Sequence, residues 1–270
     1  MKTKYKILIA KIIYRILKLF FINDRRKVTR NGINWFLELN EGIDLSIFLF
    51  GNFEKSILRN AKKLLKNYEL DIIDIGSNMG VHTLNFAKNF QNSKVYSLEP
   101  TDFAFEKLLK NVSLNLNLKN ISTHQIYIND NKKRPAHIYS SWNLKSDNEK
   151  HNKHLGIKKS INEAQSMTLD EFISQNKIQK KTLIKCDVDG NELYVFKSGQ
   201  SYLAKFKPIV MMELAPYLYK ENEYSSEELI IFIKSLNYRF YDFKTFDEIT
   251  NIIDYTNSIK DGSSKNIILK

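Results

Sequence analysis

Two short segments carry residue types that can bind a ligand and activate it. The first is Asp71-Ile-Ile-Asp-Ile-Gly-Ser-Asn-Met-Gly80. It reads as a buried strand containing Asp74, then a glycine turn, then a helix start. Gly76 allows a sharp turn where a side chain would clash, and Gly80 lets the first helical turn approach the sheet or a ligand closely. Glu99-Pro100 ends the next strand, and a carboxylate there can accept both hydroxyls of a ribose. The second segment is Thr182-Leu-Ile-Lys-Cys-Asp-Val-Asp-Gly-Asn-Glu192. It is an apolar strand with Lys185, Asp187, Asp189 and Glu192 near its carboxyl end. Charges on a central strand are costly to bury unless paired or used. The plainer reading is a Lys–Asp pair that only fixes the loop. A divalent metal on Asp187 and Asp189 is a weaker alternative, because two carboxylates on one turn are common without one.

The glycine spacing narrows the ligand. A dinucleotide fingerprint is G-x-G-x-x-G, and its middle glycine makes room for a pyrophosphate. Here the spacing is G-x-x-x-G, with Asn78 where that glycine would be. A nucleoside ligand without phosphates fits better, and S-adenosyl-L-methionine is the obvious one. The spacing thus argues against a nucleotide-binding dehydrogenase, which is the main competing reading.

The surrounding pattern supplies the elements that must hold these residues. Strands are expected at Leu70–Ile75, Lys94–Leu98, Ser122–Ile128, Thr182–Val188 and Ile209–Glu213. Helices are expected at Val81–Phe90 and Phe103–Asn115, the latter with Thr101 or Asp102 as its N-cap. Thr168-Leu-Asp-Glu171 and Ser225-Ser-Glu-Glu228 have the form of capping boxes that open two more helices, the second running to about Leu236. Tyr238–Phe243 and Asn266–Leu269 read as closing strands in an antiparallel edge hairpin. The alternation of strand and helix argues for a mostly parallel sheet covered on both faces. Its carboxyl ends would carry both chemical segments, because ligands of such sheets bind there. Residues 130–160 are polar and poorly patterned, and read as a long loop or insertion that shapes the substrate site.

Composition removes other classes. Hydrophobic residues make up 43% and charged residues 27% of 270 residues, which are globular values. Cys186 is the single cysteine, so no internal disulfide and no multi-cysteine zinc site can form. A reducing, cytoplasmic compartment is the simpler expectation. The net charge is +12, but residues 1–30 carry ten basic side chains and one acid. The remaining chain is nearly balanced, which speaks against nucleic acid as a partner, since that needs a wider basic footprint.

The basic excess belongs to an N-terminal arm, residues 1–29. Its apolar run from Tyr5 to Ile22 is interrupted by lysines too often for a transmembrane helix, and it has no signal-peptide core. On a helical wheel Lys4, Lys11, Arg15 and Lys18 cluster opposite Ile9, Ile12, Ile13, Ile16, Leu19 and Phe20. That is the pattern of a helix lying on an anionic membrane surface through residues 1–22, at the inner face of the membrane. The alternative is packing of the same face on the protein's own core or on a second copy in a homodimer.

Taken together, the motifs resemble the FkbM family of S-adenosylmethionine-dependent methyltransferases. Its D-x-G-A-N-x-G motif reads here as Asp74-Ile-Gly-Ser-Asn-Met-Gly80, with Ser77 in place of alanine. Its E-P pair matches Glu99-Pro100, and its L-x-x-N-x-x-x-N pattern matches Leu108, Asn111 and Asn115. Its T-L-D matches Thr168 to Asp170, and its I-K-I-D-x-E-G-x-E segment matches Ile184 to Glu192, with Cys186 and Asp189 as mild departures. Its P-x-x-x-x-E matches Pro208 to Glu213, and the stretch Glu41 to Gly51 resembles the region before the family's core. The likeness runs over about residues 30–270. His82 stands where an aromatic residue is expected and bears on the active-site wall.

The resemblance implies a class I methyltransferase fold, a Rossmann-like seven-stranded sheet with an antiparallel last strand. It implies an O-methyltransferase acting on a hydroxyl, often of a sugar in a surface polysaccharide, with a small-molecule or glycan acceptor. Asp74, Gly76, Ser77, Asn78, Gly80, Glu99 and Pro100 would bind the cofactor. Asp187 and Glu213 are candidates for the general base, and Lys185 would orient Asp187. No metal ligands are assigned among these residues. His151 and His154, in the polar loop, read as a solvated pair. A catalytically inactive scaffold with the same fold is a third reading, against which the intact acidic positions argue.

Overall fold

The computed structural model describes residues 3–20, 23–66, 68–130, 135–139, 143–144 and 156–270, with side chains from Leu8 onward in the first helix. Its main sheet has seven strands, labelled here in chain order. They are β1 Asp71–Ile75, β2 Val95–Leu98, β3 Ile121–His124, β4 Thr182–Cys186, β5 Ile209–Leu214, β6 Phe240–Asp242 and β7 Lys265–Leu269. The spatial order is β6-β7-β5-β4-β1-β2-β3. All neighbours pair in parallel except β7, which runs antiparallel to both β5 and β6. The doubly wound sheet and its antiparallel last strand are therefore as the sequence implied.

The central strands are apolar on both faces because both are covered. In β1 the adjacent Ile72 and Ile73 point to opposite sides of the sheet. Ile73 joins a core with Ile184, Val210, Phe172, Phe196 and Ile233. Ile72 joins a second core with Val95, Leu183, Met211, Phe86 and Ile57. Helices Leu169–Gln175, Glu192–Ser198, Gln200–Phe206 and Ser226–Ser235 cover the first face, while Lys55–Leu64 and Val81–Asn89 contribute to the second. Both capping boxes are formed, with Thr168 accepting from the Glu171 amide and Ser225 from the Glu228 amide.

Two local expectations are corrected, and the N-cap position expected at Thr101 is met without a side-chain cap. The strand read as Ser122–Ile128 breaks at Gln125: Ile121–His124 stays in the main sheet, while Ile126–Ile128 pairs in parallel with Gln165–Met167. The Gln125 carbonyl instead accepts from the Gln165 amide. The closing strands do not form a simple edge hairpin. Helix Ile252–Asn257 lies between them, and β7 inserts between β5 and β6. Thr101 precedes helix Asp102–Ser113 without capping it through its side chain, because its hydroxyl donates to Glu99. Within residues 130–160, His137–Tyr139 pairs antiparallel with Lys158–Ser160, whereas Trp142, His151 and His154 lie outside the described residues.

An N-terminal hairpin, Arg25–Arg30 with Ile33–Glu38, lies outside the main sheet. Ile33, Trp35 and Leu37 bury against Met79, Val81 and Leu84 beside the glycine turn. Asn111 and Asn115 fasten it there. The Asn111 Oδ1 accepts from the Phe36 amide at 2.7 Å, and its Nδ2 donates to the Met79 carbonyl at 3.0 Å. The Asn115 Oδ1 accepts from the Asn34 amide at 2.9 Å, and its Nδ2 donates to the Asn34 carbonyl at 2.7 Å. A buried Lys107–Asp44 pair at 2.5 Å ties helix Gly42–Phe50 to the same region.

The arm is the helix Thr3–Phe20. Tyr14 is buried against Leu39, Leu45 and Leu144, with Ala10 and Leu17 beside it, and its hydroxyl donates to Asp24 at 2.9 Å. One side of the arm thus packs on the protein itself. Leu8, Ile9, Ile12, Ile16, Leu19 and Phe20 are exposed. Among the described residues no helix is long and apolar enough to cross a membrane.

Candidate functional site

The parallel strands β1, β2, β4 and β5 all end at the same edge of the sheet. The strand order reverses between β1 and β4, which is where open α/β sheets form a crevice. A cavity of about 680 Å³ lies there. Gly76, Ser77, Asn78, Glu99 and Pro100 line it from one side, and Lys185, Asp187, Asp189 and Glu213 from another. The two segments singled out in the sequence therefore share one chamber.

Gly76 has φ of +75°, and a β-carbon there would sit 1.9 Å from the Asp187 carbonyl oxygen. The turn is pressed against the β4 loop, so only glycine fits. Gly80 has φ of +90°, and its missing side chain makes room for Leu108. It thereby serves the packing of helix Asp102–Ser113 against the turn. Asn78 also has positive φ, and its amide donates to the Glu99 Oε2 at 2.8 Å.

Asp74 is fully buried below the turn. Its Oδ2 accepts from the Thr83 hydroxyl at 2.7 Å, and its Oδ1 lies 3.4 Å from the Lys185 Nζ. Lys185 in turn donates to the Gly76 carbonyl at 2.8 Å and lies 3.7 Å from the Asp187 carboxylate. Asp74 and Lys185 are register partners on adjacent strands, which explains the contact. Burial disfavours the lysine's charge, but Asp74 and Asp187 outweigh that and raise its pKa. Lys185 thus joins the glycine turn to the acidic loop.

Glu99 is buried at the tip of β2. Its Oε1 accepts from the Thr101 amide and hydroxyl, and its Oε2 from the Asn78 amide. Burial raises its pKa against the pull of these bonds. A carboxylate has about four acceptor positions, so Oε2 retains one toward the cavity. The Ser77 hydroxyl, at the cavity wall, is buried without a protein partner. Buried polar groups are normally satisfied, so a polar ligand group is what this site lacks.

Asp187, Asp189 and Glu213 converge, with one carboxylate oxygen of each within 4.8 Å of the others. Asp189 adopts a left-handed backbone, φ +49°, which turns the loop inward. Burial, then the charge of Asp187, pushes the pKa values of both Asp189 and Glu213 well up. Ser264 donates to Glu213. Like charges as close as those in this trio do not all ionise readily. The trio can hold or accept a proton, and its oxygen donors also suit a hard divalent cation. Glu192 sits behind it, fully buried, where burial raises its pKa to about 7.

Three further wall residues were assigned no role from the sequence. Tyr217 follows β5 beside Glu213, with its pKa raised by burial and by that carboxylate. Glu54 lies 3.6 Å from the Nε2 of His82, which places His82 on the wall, as its unusual position suggested. Asn191 completes the acidic loop. Of these, Tyr217 carried one available signal, four residues after Glu213 at a strand end.

Comparison with known proteins follows this geometry. The family model for the methyltransferase FkbM domain matches residues 74–240, more than half of the chain. The solved methyltransferase FkbM from Methylobacillus flagellatus KT is 14% identical with a TM-score of 0.49, over 81% of this chain and 48% of that one. This chain therefore spans about half the length of that protein. TYW2 of M. jannaschii, solved with AdoMet, is 14% identical with a TM-score of 0.38, over 92% of this chain and 84% of that one. A precorrin-6y C5,15-methyltransferase from Geobacter metallireducens GS-15 is 10% identical with a TM-score of 0.43, over 81% and 91%. No curated protein matches the sequence.

Proposed function

The chain belongs to the FkbM-domain methyltransferases, and from that premise we propose that it methylates a hydroxyl, of a sugar in a surface glycan or a related metabolite. S-adenosylmethionine is the methyl donor. The observation that carries the reading is the meeting of the glycine turn, Glu99 and the Asp187–Asp189–Glu213 trio around one cavity.

The residues present fit the donor. Glu99 keeps an acceptor position for a ribose hydroxyl, and Ser77 offers an unsatisfied hydroxyl to the donor's polar end. When bound, the donor supplies an electrophilic methyl group on a sulfonium. The chain's own task is to align the acceptor oxygen and remove its proton. Alignment in a fixed chamber is worth several kcal/mol, up to about 7–11 in favourable cases. Proton removal by a placed base adds roughly 10²–10⁴-fold. Asp187 is our candidate base. Its side chain is 36% exposed and lines the cavity, within reach of an acceptor hydroxyl. Lys185 positions it from below.

Attachment to an anionic membrane surface supports access to such an acceptor. The arm presents exposed Ile12, Ile16 and Leu19 with Lys11 and Arg15 along the adjoining side. A second copy of the chain is the competing occupant of that face. The test of function is methylation of cell-envelope glycan extracts with radiolabelled S-adenosylmethionine. Label in a glycan fraction, lost with Asp187→Asn, is expected. S-adenosylhomocysteine binding without any labelled hydroxyl product would overturn the acceptor assignment.

A further inference from the structure

We infer that the acceptor is amphiphilic, its hydroxyl carried on a polar head joined to a long apolar chain. The inference rests on the methyl-transfer reading and adds the class of acceptor to it.

The cavity is lined by two unlike groups of residues. One is Asp187, Asp189, Glu213 and Tyr217. The other is an apolar wall of Ile9 and Ile13 of the arm, Ile43, Leu49 and Phe50 of helix Gly42–Phe50, and Phe53. Small residues, Ala10, Gly42 and Ser46, join this second group and keep the space between the two helices open.

The apolar wall also continues out of the chamber. Ile9 is 47% exposed and Phe50 68%, although both line the cavity. From Ile9 the exposed stripe proceeds through Ile12 and Ile16 to Leu19 along the arm. An apolar path thus leads from the carboxylates to the surface, beside the cationic side chains of Lys11 and Arg15. A wholly polar sugar would leave this wall wet and unused. A run of methylenes would fill it while the head reached Asp187. Charge complementarity selects the source of such a molecule, since cations flanking an apolar stripe suit an anionic lipid surface.

The test is calorimetry on the full chain saturated with S-adenosylhomocysteine. Methyl-, hexyl- and octyl-β-D-glucoside are titrated below their micelle concentrations. A fully buried methylene is worth up to roughly a four-fold gain in affinity, so octyl should bind at least about ten-fold more tightly than methyl. Leu49→Gln with Phe50→Gln, at two exposed positions on the wall, should reduce that gain to less than about three-fold. Leu19→Gln, on the stripe outside the cavity, should keep it. Affinity for S-adenosylhomocysteine reports that each variant is folded. No gain with chain length would overturn the amphiphilic acceptor alone. Equal loss in both variants would mean adsorption to the surface and would overturn it too. Failure of the parent chain to bind S-adenosylhomocysteine would instead sink the methyl-transfer reading beneath it.

Discussion

The carbonyl oxygen of Asp187 occupies the space that a β-carbon on Gly76 would need, 1.9 Å from its ideal position. The cofactor turn and the acidic loop are therefore one piece of backbone packing. Gly76→Ala should separate them. The positive φ adds strain of about 1–3 kcal/mol to the clash. Urea denaturation should show a lower midpoint. At urea-free conditions methyl transfer should fall further than affinity for S-adenosylhomocysteine, because the displaced element carries Asp187.

Asp187→Asn keeps the side-chain volume and removes the base. Turnover should fall by roughly 10²–10⁴-fold, while the Kd for S-adenosylhomocysteine stays within a few-fold. Steady-state kinetics beside calorimetry separates the two. Unchanged turnover would move the base to Glu213.

Glu192 supplies a pH dependence of stability. Its folded pKa, about 7, lies above the ordinary glutamate value of 4.5. The folded state therefore holds this proton more tightly than the unfolded chain does. The resulting stabilisation is complete below about pH 4.5 and is lost as pH rises through 7. The shift corresponds to roughly 3 kcal/mol. Glu192→Gln should gain stability relative to the parent as pH rises from 4.5 to 7, with the difference flat beyond about pH 8. Thermal unfolding of the two proteins across that range measures it.

Asn111→Ala removes an acceptor from the Phe36 amide and a donor from the Met79 carbonyl. Each orphaned buried group costs about 1–3 kcal/mol. Unfolding should shift accordingly, and hydrogen exchange at Phe36 should accelerate more than exchange in β1 or β4.

The arm should carry the chain to vesicles containing anionic lipid in flotation experiments, and added salt should release it because screening acts over about 8–10 Å. Each basic side chain near such a surface contributes about 1 kcal/mol, so Lys11→Glu with Arg15→Glu should abolish recovery. Equal recovery of parent and variant would count against the membrane surface. A concentration-dependent dimer in solution would favour a second copy of the chain.

The sheet was legible because alternating strands and helices leave few topologies, and because Gly76, Glu99 and Asp187 sit at strand ends. The roles of Gly80 and Asp74 were less so. Both belong to a cofactor motif by position, yet one makes room for Leu108 and the other holds Thr83 and Lys185 below the turn. Periodicity shows that a residue is buried, but its partner across the fold is a tertiary fact. The arm shows the same limit. A single apolar face was readable, whereas the structure divides it. Ile13 turns to the cavity while Ile12 and Ile16 stay exposed, with Tyr14 packed on the core just beside them.

Asn111 and Asn115 grip the N-terminal hairpin by its peptide groups alone: the Phe36 amide and both polar groups of the Asn34 backbone. Such a socket does not read the side chains of the strand it holds. The side-chain match is made separately, by Ile33, Trp35 and Leu37 against Met79, Val81 and Leu84. The residues matched by the family model begin at Asp74, after the hairpin has ended. The hold on the strand's backbone and the match to its side chains are thus separate, so substitutions at Ile33, Trp35 or Leu37 would disturb the second and leave the first.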